Sequence, residues 1–241
     1  MTDATLAAGE ISSAENFSND INVLPHDSID TTAAVEAVAA EPEVPNGFVT
    51  LGLAPELILA VKDLGFTQPT TVQLKTIPLA MQGVATEGHN AKFIDLMVSS
   101  QTGSGKTAAF LLPVLHTLLA QQAQAEAKER ADFERAVAEA AAKGEAPPKR
   151  PKRKDPTNAR HFSPAIPGAL VVCPTRELAQ QVAHDAIDLV QHCRGLRVAN
   201  IVGGMPYQLQ IAKLQNANLV VATPGRLLDL QRSMQIKLDQ V

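Results

Sequence analysis

Four short apolar runs, FIDLMVSS, GALVVCPT, LRVANIVGG and ANLVVATPG, lie between Phe93 and Gly225, and helical periodicity follows each of them. A strand that reads as a continuous apolar run is buried on both faces. Such runs alternating with amphipathic helices imply a parallel sheet covered by helices on either side. The helical pattern is clearest in RELAQQVAHDAIDLVQHC, where Leu178, Val182, Ala186, Leu189 and Cys193 fall on one face. The expected fold class is therefore α/β, a parallel sheet sandwiched by helices. Sheets built this way bind ligands at the carboxyl ends of their strands. The small and polar residues that end each run are thus the ones to read for chemistry.

The rest of the 241 residues divides by composition. Residues 1–45 are rich in Ala, Ser, Asn, Asp and Glu without a sustained period, and a disordered tail is expected there. The ordered domain is expected over 46–241. In APELILAVKDLGF, Pro55 suits a first helical turn, Leu57, Val61 and Leu64 share a face, and Gly65 suits the stop. A second helix is expected over 71–82, with a boundary or kink near Pro78, followed by a loop at EGHN. The stretch from about 120 to 162 breaks the pattern. It begins rich in Ala, Gln and Glu and ends in EAPPKRPKRKDPTNAR, so an exposed insertion is expected, a helix extension and then a flexible basic loop.

Charge follows the same division. The net charge is −4, but residues 1–47 hold nine acids and no Lys or Arg, leaving 16 acids against 21 bases, or +5, for the remainder. A basic body is compatible with a polyanionic partner. Hydrophobic residues make up 45% and aromatics only 3%, so the core must be aliphatic. Cys173 and Cys193 are too few for a disulfide framework or a zinc site and read as reduced thiols. No apolar run reaches the roughly 18 residues of a spanning helix, and the N-terminus is acidic with no signal-like core. A soluble, cytoplasmic protein with no membrane partner is expected.

The first apolar run leads into SQTGSGKT, Ser100, Gln101, Thr102, Gly103, Ser104, Gly105, Lys106 and Thr107 with Ser99 before them. Small residues there let backbone N–H groups converge on an anion where a helix begins, and the helix dipole adds positive potential. Gly103 and Gly105 remove the Cβ penalty for unusual dihedrals. Lys106 can reach terminal phosphates, and Thr107 can ligate Mg²⁺, which takes oxygen ligands. The stretch thus reads as a P-loop for a nucleoside triphosphate. The generic motif has Gly where this chain has Ser100; serine is small, and the turn is expected to survive.

Four further stretches resemble, in order, the first RecA-like domain of DEAD-box ATP-dependent RNA helicases. GFTQPTTVQ, with Phe48 placed 17 residues before Gly65, is similar to the adenine-sensing Q motif. The resemblance implies that Gln73 hydrogen-bonds the adenine edge while Phe48 and Phe66 flank the base. A glutamine amide offers a purine both donor and acceptor, and a ring can stack on it. The P-loop resembles motif I, with Ser100 where alanine is usual. Pro174, Thr175 and Arg176 in PTRELAQQ resemble motif Ia. Gly203 and Gly204 resemble the GG motif, and Thr223, Pro224, Gly225 and Arg226 resemble motif Ib. These residues are implied to hold single-stranded or short duplex RNA by sugar and phosphate, so that binding is largely sequence-independent and salt-sensitive. Arg226 has two readings, a phosphate contact or a structural ion pair.

In the family, two RecA-like domains close around ATP and RNA and assemble the catalytic site. There the chain continues after TPGRLLDL to a strand ending in Asp-Glu-Ala-Asp, which helps place Mg²⁺ and orients the attacking water. No Asp-Glu-Ala-Asp run occurs in these 241 residues, which end in IKLDQV. The expectation is an incomplete domain, truncated before that motif and without the second RecA-like domain, that binds ATP and RNA but has no complete catalytic residue set. The alternative is a non-catalytic nucleotide- or RNA-binding module. A P-loop translocase acting on DNA fits less well, because few such groups carry the Q motif. The basic run Lys149–Lys154 reads either as a solvated loop or as auxiliary RNA affinity through counterion release.

Overall fold

Local signals account for the first elements of the chain. The computed structural model describes residues 46–82, 95–144, 146 and 163–241. A short 3-10 helix, Gly47–Leu51, is capped by Asn46, whose side chain accepts from the Phe48 N–H. Helix α1, Pro55–Asp63, starts on Pro55 and buries Leu57, Ala60 and Val61. Gly65 follows it at φ +79°, a left-handed turn that favours glycine. Helix α2, Thr71–Met81, opens on a reciprocal cap. The Thr70 N–H donates to Gln73 Oε1 at 2.8 Å, and the Gln73 N–H donates to Thr70 Oγ1 at 3.5 Å. The expected boundary or kink near Pro78 does not end this helix, which continues through it to Met81.

Helix α3, Lys106–Lys143, is 38 residues long, which at 1.5 Å per residue is about 57 Å. Its first third is apolar and buried, through Leu111, Leu112, Leu115 and Leu118. Beyond Gln121 it is almost wholly exposed and carries surface pairs such as Glu126–Arg130. The helix ends on Gly144 at φ +69°. The basic run that follows lies outside the described residues, as do the acidic tail and the EGHN loop.

Three of the apolar runs form strands: β1, Ala169–Val172; β2, Val198–Ile201; and β3, Leu219–Ala222. They pair in parallel in the order β1-β3-β2, with Val171 opposite Val221 and Ile201 opposite Ala222. The central strand β3 is buried at every position. Its alternate residues enter two separate cores, as period-two alternation requires. Leu219 and Val221 join Leu111, Leu115, Val182, Ala186 and Leu57 on one face. Val220 and Ala222 join Leu214, Leu227, Leu230 and Ile236 on the other. Helix α4, Arg176–Leu189, belongs to the first face; helices α5, Tyr207–Leu214, and α6, Pro224–Arg232, belong to the second. This is the expected parallel sheet between helix layers.

The first apolar run departs from expectation. Phe93 and Ile94 lie outside the described residues, and Asp95–Ser100 forms no strand. Leu96, Met97 and Val98 are exposed, Met97 fully so. A strand exists only through its partner's hydrogen bonds. Among the described residues the sheet ends at β1 on that side, and this segment pairs with no strand.

Candidate nucleotide site and the adjoining strand-end surface

Gly103 and Gly105 stand at φ +77° and +83°, conformations that L side chains rarely adopt. Gly105 is constrained twice, because a Cβ there would fall 2.4 Å from Gln73 Nε2. That closeness reflects a direct link between α2 and the loop. Gln73 Nε2 donates to the Gly105 carbonyl at 3.1 Å, and Thr70 Oγ1 donates to the Ser104 carbonyl at 2.8 Å. Within the loop, Ser100 Oγ donates to Ser104 Oγ at 2.5 Å. Lys106 Nζ donates to the Ser100 and Gln101 carbonyls. The ammonium group therefore lies over the loop's own backbone, and Thr107 follows it on the first turn of α3.

Gln73 is only 5% exposed and both ends of its amide are engaged. One Nε2 hydrogen and one Oε1 lone pair remain free for a further partner. Phe48 is buried at 1% exposure, whereas Phe66 is 45% exposed. The two segments are tied together: Asn46 Nδ2 donates to the Phe66 carbonyl at 2.8 Å, and the Gly47 N–H donates to the Thr67 carbonyl at 3.0 Å. A cavity of 590 Å³ runs from Phe48, Phe66 and Gln73 to Gly103, Lys106 and Thr107. Asp185 and Asp188 of α4 form part of its wall. Burial pushes the Asp185 carboxyl up from its ordinary value; the neighbouring His184 opposes this and Asp188 adds to it.

The remaining predicted residues gather at the carboxyl ends of the three strands. Pro174 and Thr175 follow β1, and Thr175 caps α4 by accepting from the Leu178 N–H at 3.2 Å. Gly203 and Gly204 follow β2. Gly204 has φ +80°, and a Cβ there would lie 2.3 Å from Arg176 Nη2, so the Arg176 guanidinium packs directly over this glycine. Thr223 follows β3, and Pro224 and Gly225 begin α6. The Arg226 guanidinium lies 5.7 Å from the centroid of the Tyr207 ring, within cation–π range. Arg226 makes no ion pair among the described residues. The sequence-predicted residues thus gather in two places, around the cavity and at the strand ends.

Sequence reasoning missed Thr70, Tyr207, Asp185 and Gln210. Thr70 was legible as the first residue of a Thr-x-x-Gln capping box. Tyr207 and Asp185 carry no local signal; their positions follow from how α5, α6 and α4 pack. Gln210, fully buried, donates from Nε2 to the Val202 carbonyl at 2.6 Å. No group of three or more His, Cys, Asp or Glu residues able to hold a metal ion occurs among the described residues. No described helix is long and apolar enough to cross a membrane.

Comparison with known proteins places this geometry. Residues 70–241 match the DEAD/DEAH box helicase family model. The chain is 37% identical to the ATP-dependent RNA helicase SrmB of Haemophilus influenzae, over 75% of this chain and 30% of that protein. It is 34% identical to the ATP-dependent RNA helicase DeaD of Escherichia coli K12, over 78% of this chain and 22% of that protein. Among solved structures, a variant of Dbp5 from S. cerevisiae, bound to RNA and ADP BeF3, matches with a TM-score of 0.50 and 26% identity, over 81% of this chain and 36% of that one. The chain therefore spans about a third or less of the length of these relatives, over their RecA-like part. This chain belongs to the DEAD/DEAH box helicase family.

Proposed function

We propose that this chain is the ATP-binding and part of the RNA-binding portion of an ATP-dependent RNA helicase. Phe66 offers a partly exposed ring for the adenine, with Phe48 behind it. The free positions of the Gln73 amide read the base edge. The backbone N–H groups of Thr102, Gly103, Ser104 and Gly105 cradle the phosphates, at the positive end of α3. The Lys106 ammonium exchanges its contacts with the Ser100 and Gln101 carbonyls for phosphate oxygens. Thr107 would hold Mg²⁺ together with the nucleotide's own oxygens, and the ion would supply neutralisation of phosphate charge.

The strand ends hold RNA by its backbone. Thr175, Arg176, Gly203, Gly204, Thr223, Pro224, Gly225 and Arg226 present hydroxyls, amides and guanidinium groups to sugar and phosphate. Binding of single strands or short duplexes then depends on salt rather than sequence. The ATP-dependent RNA helicases to which the chain is similar support this reading, and the cytoplasm is its proposed setting. One observation carries the nucleotide reading: Thr70 and Gln73 bond the phosphate loop directly, so the base-facing and phosphate-facing groups share one cavity.

A second reading is a binding module that does not turn ATP over by itself. The 241 residues contain no Asp-Glu-Ala-Asp run. Fluorescent-ATP titration, RNA titration and phosphate release on the purified chain separate the two. The expected result is saturable binding of both ligands, with Lys106→Ala weakening ATP alone. RNA-stimulated phosphate release would exclude the module reading; failure to bind ATP would exclude both.

A further inference from the structure

Gln210, in the middle of α5, is completely buried although it is polar. Its Nε2 donates to two carbonyls, Val202 at 2.6 Å and Met205 at 3.4 Å. Two acceptors facing the same group fix the amide's orientation, because only the nitrogen can donate. Oε1 is buried and has no partner among the described residues. A buried amide is held by the bonds that satisfy it, and here those are the two donations of its nitrogen. They tie both ends of the segment from Val202 to Met205 to the helix beneath. With both carbonyls held inward, the two intervening glycines sit at the surface, with Arg176 packed over Gly204.

We infer that Gln210 is a positioning residue for RNA binding, which holds the Gly203–Gly204 turn and, through it, Arg176 in the arrangement that receives a phosphate. The inference rests on the RNA reading above. It also defines the chemistry required at position 210, a neutral donor of nearly glutamine length. Methionine fills the volume but donates nothing. Glutamic acid donates only while protonated. Burial and the facing carbonyls raise the carboxyl pKa above the ordinary value of about 4.3. Its donor is therefore present at low pH and lost as pH rises through that raised value. The charged group packed on the turn is Arg176.

The test measures binding of a labelled single-stranded oligouridylate to the full chain between about pH 5 and pH 8, with ATP affinity measured on the same samples. Gln210→Met should weaken RNA binding about tenfold at every pH, the effect of one buried acceptor left unpaired, while ATP affinity is retained. Gln210→Glu should bind RNA within about threefold of the parent near pH 5 and fall about tenfold behind it near pH 8. A merely structural role would not produce that ratio change with ATP affinity constant. Parent-like RNA binding by both variants at all pH values overturns the positioning role. So does a parallel loss of RNA and ATP binding, which marks general unfolding. A parent chain that binds no RNA overturns the RNA reading itself, and this inference with it.

Discussion

Gly105 carries two constraints at once, a left-handed backbone and the approach of the Gln73 amide. Gly105→Ala should cost about 1–2 kcal/mol for the backbone alone and should also push the Gln73 amide off the Gly105 carbonyl. Urea unfolding should report the first effect and ATP titration the second. Asp185 gives a prediction of opposite sign. It lies on the cavity wall, where its negative charge opposes a triphosphate. Asp185→Asn should tighten ATP binding about threefold, by a Coulomb term that salt diminishes; titration at two ionic strengths checks it. The departure at Ser100 also has a physical meaning, since its hydroxyl spans the loop to Ser104. Much of the candidate site was legible in the sequence because glycines and a lysine act locally. The Arg226 stack was not, because Tyr207 lies 19 residues away and arrives only when α5 and α6 join one core.

Among the elements, α1 and α3 are joined by one hydrogen bond with a protonation requirement. The Ala54 N–H donates to His116 Nδ1 at 3.1 Å, so Nδ1 must be unprotonated. Burial holds the His116 pKa below its ordinary value. The folded state therefore binds this proton less readily than the unfolded chain. His116 contributes stability fully above the ordinary histidine range, and that contribution is lost as pH falls through the depressed folded value. His116→Asn keeps an acceptor that cannot titrate. The difference in unfolding free energy between parent and variant should shift against the parent on acidification; a pH-independent difference would contradict this. The outer part of α3 tests a different property. Ala131 lies on the exposed stretch, so Ala131→Pro should reduce helical circular dichroism and leave ATP affinity unchanged. Of the four apolar runs, GALVVCPT, LRVANIVGG and ANLVVATPG could be read as strands because β3 pairs with both neighbours. FIDLMVSS could not be resolved in that way. Apolarity reports a preference for burial, while a strand also needs a partner that the run itself does not specify.

Across the molecule, the two candidate surfaces meet at α4, which follows β1 and lines the cavity. The candidate nucleotide cavity takes groups from the 3-10 helix, α2, the glycine-rich loop and α4, and the residues proposed to face RNA stand at the ends of β1, β2 and β3. Parallel topology places those ends on one edge, which is why motifs far apart in the chain converge. The central claim is that Gln73 and Lys106 serve a single pocket, one at the base and one at the phosphates. Calorimetric titration of the chain with Mg-ATP and Mg-GTP, repeated on Gln73→Ala and Lys106→Ala, tests it most directly. The predicted result is ATP binding that each substitution weakens about tenfold or more, GTP binding weaker than ATP in the parent, and loss of that preference in Gln73→Ala. Equal affinity for the two purines in the parent, or ATP binding indifferent to both substitutions, would contradict it.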